Sequence, residues 1–189
     1  LVGGESTIAS PGAAEPVLAA YAKKFGGPER AQALIDHVTE TAAGDGIAFR
    51  MDRALRANTL LAHRLIWLAG RPASPAAQPV MKERLLQAYF VDGLDIGDPA
   101  VLARCAAEVR FDRDVVADFL DSDVGVAEVR ADLEAAAELG VTAVPTFVVN
   151  GQWAIPGAQD TDTFVNVLRR LHERIRLDAT TSGDDSCRI

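Results

Sequence analysis

Gly140-Val141-Thr142-Ala143-Val144-Pro145-Thr146-Phe147-Val148-Val149-Asn150-Gly151 decides the reading of this chain, because a proline opens an apolar run and a turn pair closes it. Proline has no amide to give to a ladder, so it is tolerated at the first residue of a strand, and the residue before it is pushed toward extended geometry. Thr146 to Val149 are β-branched or aromatic, which suits a pleated surface. Asn150-Gly151 offers the two positive-φ positions of a tight hairpin turn, and Trp153-Ala154-Ile155 a short return strand.

Working outward, Val124 to Leu139 reads as a helix with Val126, Val129, Leu133, Ala136 and Leu139 on its apolar face and Gly140 as a left-handed terminator. After the hairpin, Asp160 or Thr161 caps a last helix to about Leu177, and Thr180 to Ile189 reads as a frayed polar end. Upstream, Glu15 to Ala43 is helical, broken at Gly26-Gly27 and restarted with Pro28 in the first turn. Asn58 is placed to cap Thr59 to Ala69, and Arg71 to Pro75 forms a loop. Ala76 to Val91, with Val80, Leu85, Leu86, Tyr89 and Phe90 on its apolar side, is closed by Asp92-Gly93. Asp98 and Asp112 cap two further helices. An isolated two-stranded hairpin is marginal in water. This one is therefore expected to be covered by helices or to find pairing edges elsewhere, in another molecule (a homodimer) or in sequence outside these residues.

The chain has 189 residues, 49% of them hydrophobic, enough for one ordinary domain with a buried core. Nineteen Lys and Arg against 27 Asp and Glu give a net charge of −8, which argues against a nucleic-acid partner. No apolar run approaches the roughly 20 residues that span a bilayer, so no membrane partner is expected. Only Cys105 and Cys187 are present, neither in a Cys-x-x-Cys spacing, and low cysteine use suggests a reducing, cytoplasmic location. No His, Asp or Glu grouping has metal-ligand spacing, so no metal is expected. The first residue is Leu1, as expected for a processed product or a piece of a longer chain.

Val144-Pro145-Thr146-Phe147-Val148-Val149-Asn150-Gly151-Gln152-Trp153-Ala154-Ile155-Pro156-Gly157-Ala158-Gln159 resembles the DsbA family, in particular its FrnE-like branch. Asn58-Thr59 followed by Ala62-His63-Arg64-Leu65 is similar to that branch's Asn-Thr-x-x-Ala-His-Arg helix. Gln87-Ala88-Tyr89-Phe90 with Gly93 and Asp95-Ile96-Gly97-Asp98 resembles the helix and loop that follow it, and Glu128-Val129-Arg130-Ala131-Asp132 its last inserted helix. The resemblance runs from about Tyr21 to Leu171.

It implies an α/β, thioredoxin-like fold carrying a large all-helical insertion. Residues 1–14 would be a loop or the remnant of an N-terminal thioredoxin segment, 15–139 the helical insertion, 140–178 the C-terminal strand-hairpin-helix part, and 179–189 a flexible tail. It implies thiol-disulfide exchange by a Cys-x-x-Cys pair absent from this chain. The bond before Pro145 would be cis, where the dipeptide alone favours trans. Val144 and Pro145 would bind substrate, a protein disulfide or a small thiol. His63 is either an inert helix-face histidine or, with Asn58, part of the cleft lining. No cofactor is implied, with glutathione the one alternative. A neighbouring branch that uses glutathione and a serine, resembling 2-hydroxychromene-2-carboxylate isomerase and kappa-class glutathione transferases, is a second reading. A redox-inactive binding or chaperone module is a third. Cys105, mid-helix, reads as a buried structural thiol, and His37 and His172 as surface residues.

Overall fold

The computed structural model describes residues 14–71 and 76–183, with side chains described as far as residue 176. The expected N-terminal loop, most of the loop at Arg71 to Pro75, and Cys187 lie outside these residues. The described chain divides into two compact units, residues 14–133 and 134–183.

The first unit contains β1 (Glu15–Pro16), α1 (Val17–Phe25), α2 (Pro28–Gly44), β2 (Leu55–Arg56), α3 (Leu60–Ala69), α4 (Ala77–Gln87), α5 (Pro99–Glu108) and α6 (Arg113–Asp121), and α7 (Val126–Glu138) begins in it. It is not all-helical as expected. Glu15 precedes a proline and is biased to extended backbone, and β1 pairs antiparallel with β2, Glu15 opposite Arg56 and Pro16 opposite Leu55. The Val17 amide donates to the Ala54 carbonyl at 3.0 Å, and Glu15 pairs with Lys23 at 2.6 Å and Arg56 at 3.4 Å.

Two apolar clusters hold this unit together. Leu65, Met81, Leu85, Leu102, Cys105, Val116 and Leu120 form the larger, drawn from α3 through α6. Val17, Ile35, Met51 and Ala54 form the smaller, packed by Tyr21, Phe49, Tyr89 and Phe90. Phe49 stacks on Phe90 with centroids 4.4 Å apart, Tyr89 meets Phe90 edge-on, and burial pushes the Tyr89 phenol up to about 12. Trp67 is half-buried, with the Arg71 guanidinium 4.9 Å from its ring centroid.

Asp98 and Asp112 cap α5 and α6 as read from sequence, each carboxylate accepting from the two amides at positions +2 and +3. On α4 Leu85 turns inward as expected, with Met81 and Ala88, but Val80 and Leu86 are exposed. A π-helical turn follows at Ala88–Asp92, closed by Gly93 at φ 67°. One extra residue per turn rotates Tyr89 and Phe90 away from the stripe that α4 itself presents. Arg84, only 13% exposed, clasps the turn to α5 through Asp92 at 3.0 Å and Glu108 at 2.5 Å. The hydrogen bond to Glu108 holds the guanidinium above its usual range and the Glu108 carboxyl below its own.

Gly125 precedes α7 at φ 82°, and a Cβ there would sit 2.8 Å from Cε3 of Trp67. Gly125→Ala is therefore expected to cost about 2–3 kcal/mol, a positive-φ penalty added to overpacking against the Trp67 ring. A shift of the urea midpoint without a change in slope checks it.

The second unit holds β3 (Thr146–Val149), β4 (Trp153–Pro156) and α8 (Thr161–Gly183). The two strands pair antiparallel, from Thr146 opposite Pro156 to Val149 opposite Trp153, and among the described residues only with each other. Asn150 at φ 51° and Gly151 at φ 66° make the turn the sequence announced. Phe147 packs edge-on against Phe164 of α8 at 4.9 Å. Two boundaries differ from expectation. The division between units falls inside α7, after Leu133 rather than Leu139, and of that helix's expected apolar face only Val129 is buried, Leu133 and Leu139 being exposed. Helix α8 continues through Gly183, past the point where a flexible tail was expected. Among the described residues no helix is long and apolar enough to cross a membrane.

Candidate functional site

The candidate site is built at the head of β3. Gly140 at φ 74° ends the helical stretch, and residues 141–145 carry the chain to the strand. The Val144-Pro145 peptide bond is cis. Val144 is 67% exposed, and among the described residues its amide and carbonyl make no hydrogen bond. Its neighbours are tied down. The Pro145 carbonyl accepts from the Gly157 amide at 2.8 Å, and the Thr146 hydroxyl donates to the Ala143 carbonyl at 2.6 Å. Beyond β4, the Gln159 side-chain amide donates to the Pro156 carbonyl at 2.7 Å. Asp160 caps α8, accepting from the Thr163 amide and hydroxyl at 2.8 Å each. Those bonds, the amide first, hold its carboxyl below the usual range.

The other two sequence candidates belong to the first unit. Asn58 lies just outside α3; the helix cap by position is Thr59, but the Asn58 side-chain oxygen accepts from the Leu60 amide at 3.0 Å and so does a capping role one residue early. Its backbone meets the Asp95 to Asp98 loop: a Cβ on Gly97 would lie 3.0 Å from both the Asn58 carbonyl oxygen and the Ala57 Cβ. Only a residue without a Cβ lets the two segments approach this closely.

His63 sits in the first turn of α3, its backbone amide donating to the Thr59 carbonyl. The side chain opens to solvent on one side, yet the protein around it desolvates the ring enough to lower its pKa below 6.5. The folded state therefore binds fewer protons here than the unfolded state. Stability from this group is complete above about pH 6.5 and is lost as pH falls through the folded-state value, modestly, because solvent screens an open ring. Between about pH 7.5 and about pH 5.5 the urea midpoint of the parent protein is expected to fall more than that of His63→Gln. Equal falls would show that His63 is not the group responsible.

Beside His63, Arg64 is the residue that sequence reasoning passed over. It is 3% exposed, and its guanidinium donates to the carbonyls of Phe119, Leu120, Ser122 and Val124. The signal was its position: Arg64 falls in the same inward stripe as Leu61, Leu65 and Leu68. His37 and His172 are exposed, as read. Cys105 is fully buried, and burial pushes its thiol up, away from a reactive thiolate. Among the described residues no group of three or more His, Cys, Asp or Glu could hold a metal ion.

The comparisons with known proteins agree with this geometry. The DSBA-like thioredoxin domain model matches residues 9–169, a span that includes α1 through β4 and the Val144-Pro145 bond. No curated protein sequence matches the chain. Among solved structures, the crystal structure of a probable DsbA oxidoreductase from Streptomyces coelicolor is similar at a TM-score of 0.75 and 30% identity, over 83% of this chain and 67% of that one. With its helix-rich α/β architecture and a domain model matching most of its length, this chain belongs to the DSBA-like thioredoxin family of thiol-disulfide oxidoreductases.

Proposed function

We propose that this chain belongs to a FrnE-like protein disulfide oxidoreductase whose Cys-x-x-Cys pair lies outside residues 1–189. The observation that carries the reading is Val144, 67% exposed and, among the described residues, with no hydrogen bond to its amide or carbonyl, at the head of β3 and inside a region that matches the DSBA-like domain. Extended peptides are gripped by such backbone groups, which add main-chain hydrogen bonds as a sheet edge does. Neither cysteine within these residues suits the chemistry: Cys105 is buried, its pKa raised, and Cys187 has no partner at Cys-x-x-Cys spacing.

In the exchange, an enzyme thiolate attacks one sulfur of a substrate disulfide. An enzyme-substrate S–S bond forms, and the other substrate sulfur leaves with the electron pair of the broken bond and takes up a proton. The second enzyme thiolate then attacks the enzyme sulfur of the mixed disulfide. The enzyme ends as a disulfide and the substrate as a dithiol, two electrons having passed to the substrate; oxidation of substrate runs these steps backwards. The part of Val144 and Pro145 is to hold the substrate chain beside the reacting sulfur. The resemblance gives Asn58 and His63 a share in substrate contact, which alanine at each position tests.

The test is insulin reduction by dithiothreitol, catalysed by the full-length protein. Accelerated precipitation of the insulin B chain that disappears on Cys→Ser replacement of the Cys-x-x-Cys pair supports the reading. A full-length protein with no such acceleration contradicts it.

A further inference from the structure

We infer that Thr146 is a positioning residue that fixes the Val144 backbone for an extended polypeptide substrate, an inference that rests on the oxidoreductase reading above. Thr146 is the first residue of β3, and its hydroxyl reaches back to the Ala143 carbonyl at 2.6 Å, closing a loop that contains Val144 and Pro145. On the far side, the Gly157 amide takes the Pro145 carbonyl at 2.8 Å. The carbonyls on either side of Val144 are thus both occupied from within the hairpin. Among the described residues the Val144 amide and carbonyl remain the open pair, on a residue that is 67% exposed.

Two consequences follow. A polypeptide that docks in β geometry finds one open donor and one open acceptor, with no competing acceptor from Ala143 or Pro145. The loop is also already ordered, so less conformational freedom is lost on binding. A small disulfide offers no peptide N–H and C=O to this pair, so its turnover does not depend on the tether. Valine has the same β-branched shape and strand preference as threonine but no hydroxyl, whereas serine keeps the hydroxyl.

The experiment compares full-length parent protein, Thr146→Val and Thr146→Ser, measuring kcat and KM with a fluorescent peptide containing one disulfide and with hydroxyethyl disulfide. Thr146→Val is expected to raise KM for the peptide about five- to tenfold, the scale of one lost ordering hydrogen bond, with kcat within about twofold. Turnover of hydroxyethyl disulfide is expected to be unchanged, which also shows that the variant is folded, and Thr146→Ser to stay within about twofold of the parent on both substrates. If Thr146→Val matches the parent on the peptide, or loses equally on both substrates, the inference is overturned while the oxidoreductase reading stands. A parent protein inactive on both substrates overturns the reading, and the inference falls with it.

Discussion

Arg64→Ala is expected to destabilise the protein by about 4 kcal/mol, the largest effect of any single substitution considered. Helix α6 ends at Asp121, and the last carbonyls of a helix have no partner within it. Arg64 reaches this end from α3 and continues past it: Nη1 donates to Leu120 at 3.2 Å, Nη2 to Phe119 at 2.9 Å and to Ser122, and Nε to Val124 at 2.9 Å. The Phe119 carbonyl also accepts from the Ser122 amide and hydroxyl. Its guanidinium also lies 5.0 Å from the Phe119 ring centroid. Burial lowers the Arg64 pKa and the nearby Asp123 charge opposes that, but a guanidinium keeps its proton, so the site holds a cation against the negative end of a helix. Alanine removes the side-chain donor from the Leu120 carbonyl, whose bond to Arg64 is buried, and from the Ser122 and Val124 carbonyls at once. Arg64→Lys is expected to recover less than half of the loss, because one ammonium cannot fork to four acceptors. Urea denaturation of the two variants checks both values; a loss under about 1 kcal/mol for alanine would mean that water serves those carbonyls as well as Arg64 does.

Leu65→Ala is expected to cost about 3 kcal/mol. Leu65 has no exposed surface, and it sits in the larger apolar cluster with Met81, Leu102, Val116 and Leu120, residues from three other helices. A truncation there leaves a cavity that those helices cannot close together, since α5 is fixed by its Asp98 cap and clasped to Arg84 through Glu108. The volume-conserving Leu65→Met is expected to cost under about 1.5 kcal/mol. If the two variants unfold at the same urea concentration, cavity formation is not what the position resists.

Much of the hairpin was legible in the sequence because its signals are local. Pro145 could only start a strand, Asn150-Gly151 could hardly be anything but a tight turn, and Asp98, Asp112 and Asp160 declare helix starts through hydrogen bonds to amides two or three residues on. What the sequence hid depends on distant partners. The β1–β2 ladder joins residues that are far apart in the chain and is two residues long on each side, too short to show a period. The π-helical turn at Ala88–Asp92 has no signature that a 3.6-residue repeat would reveal, so Tyr89 and Phe90 were read on one stripe with the α4 residues before them. Arg64 drew no reading of its own beside the more conspicuous His63, although its place among Leu61, Leu65 and Leu68 marked it as inward-facing. The Thr146 hydroxyl was likewise read only as part of a β-branched strand, since a bond back to Ala143 needs the geometry of the loop between them.

The central claim, that this chain serves thiol-disulfide exchange through a cysteine pair outside residues 1–189, is tested most directly by trapping the covalent intermediate. The full-length protein, with the second cysteine of its Cys-x-x-Cys pair replaced by serine, is incubated with a peptide containing one disulfide and its intact mass is measured. The account predicts a single adduct of peptide mass that dithiothreitol removes and that Cys105→Ala leaves unchanged. A full-length chain with no such cysteine pair, or an adduct lost on replacing Cys105, would contradict it.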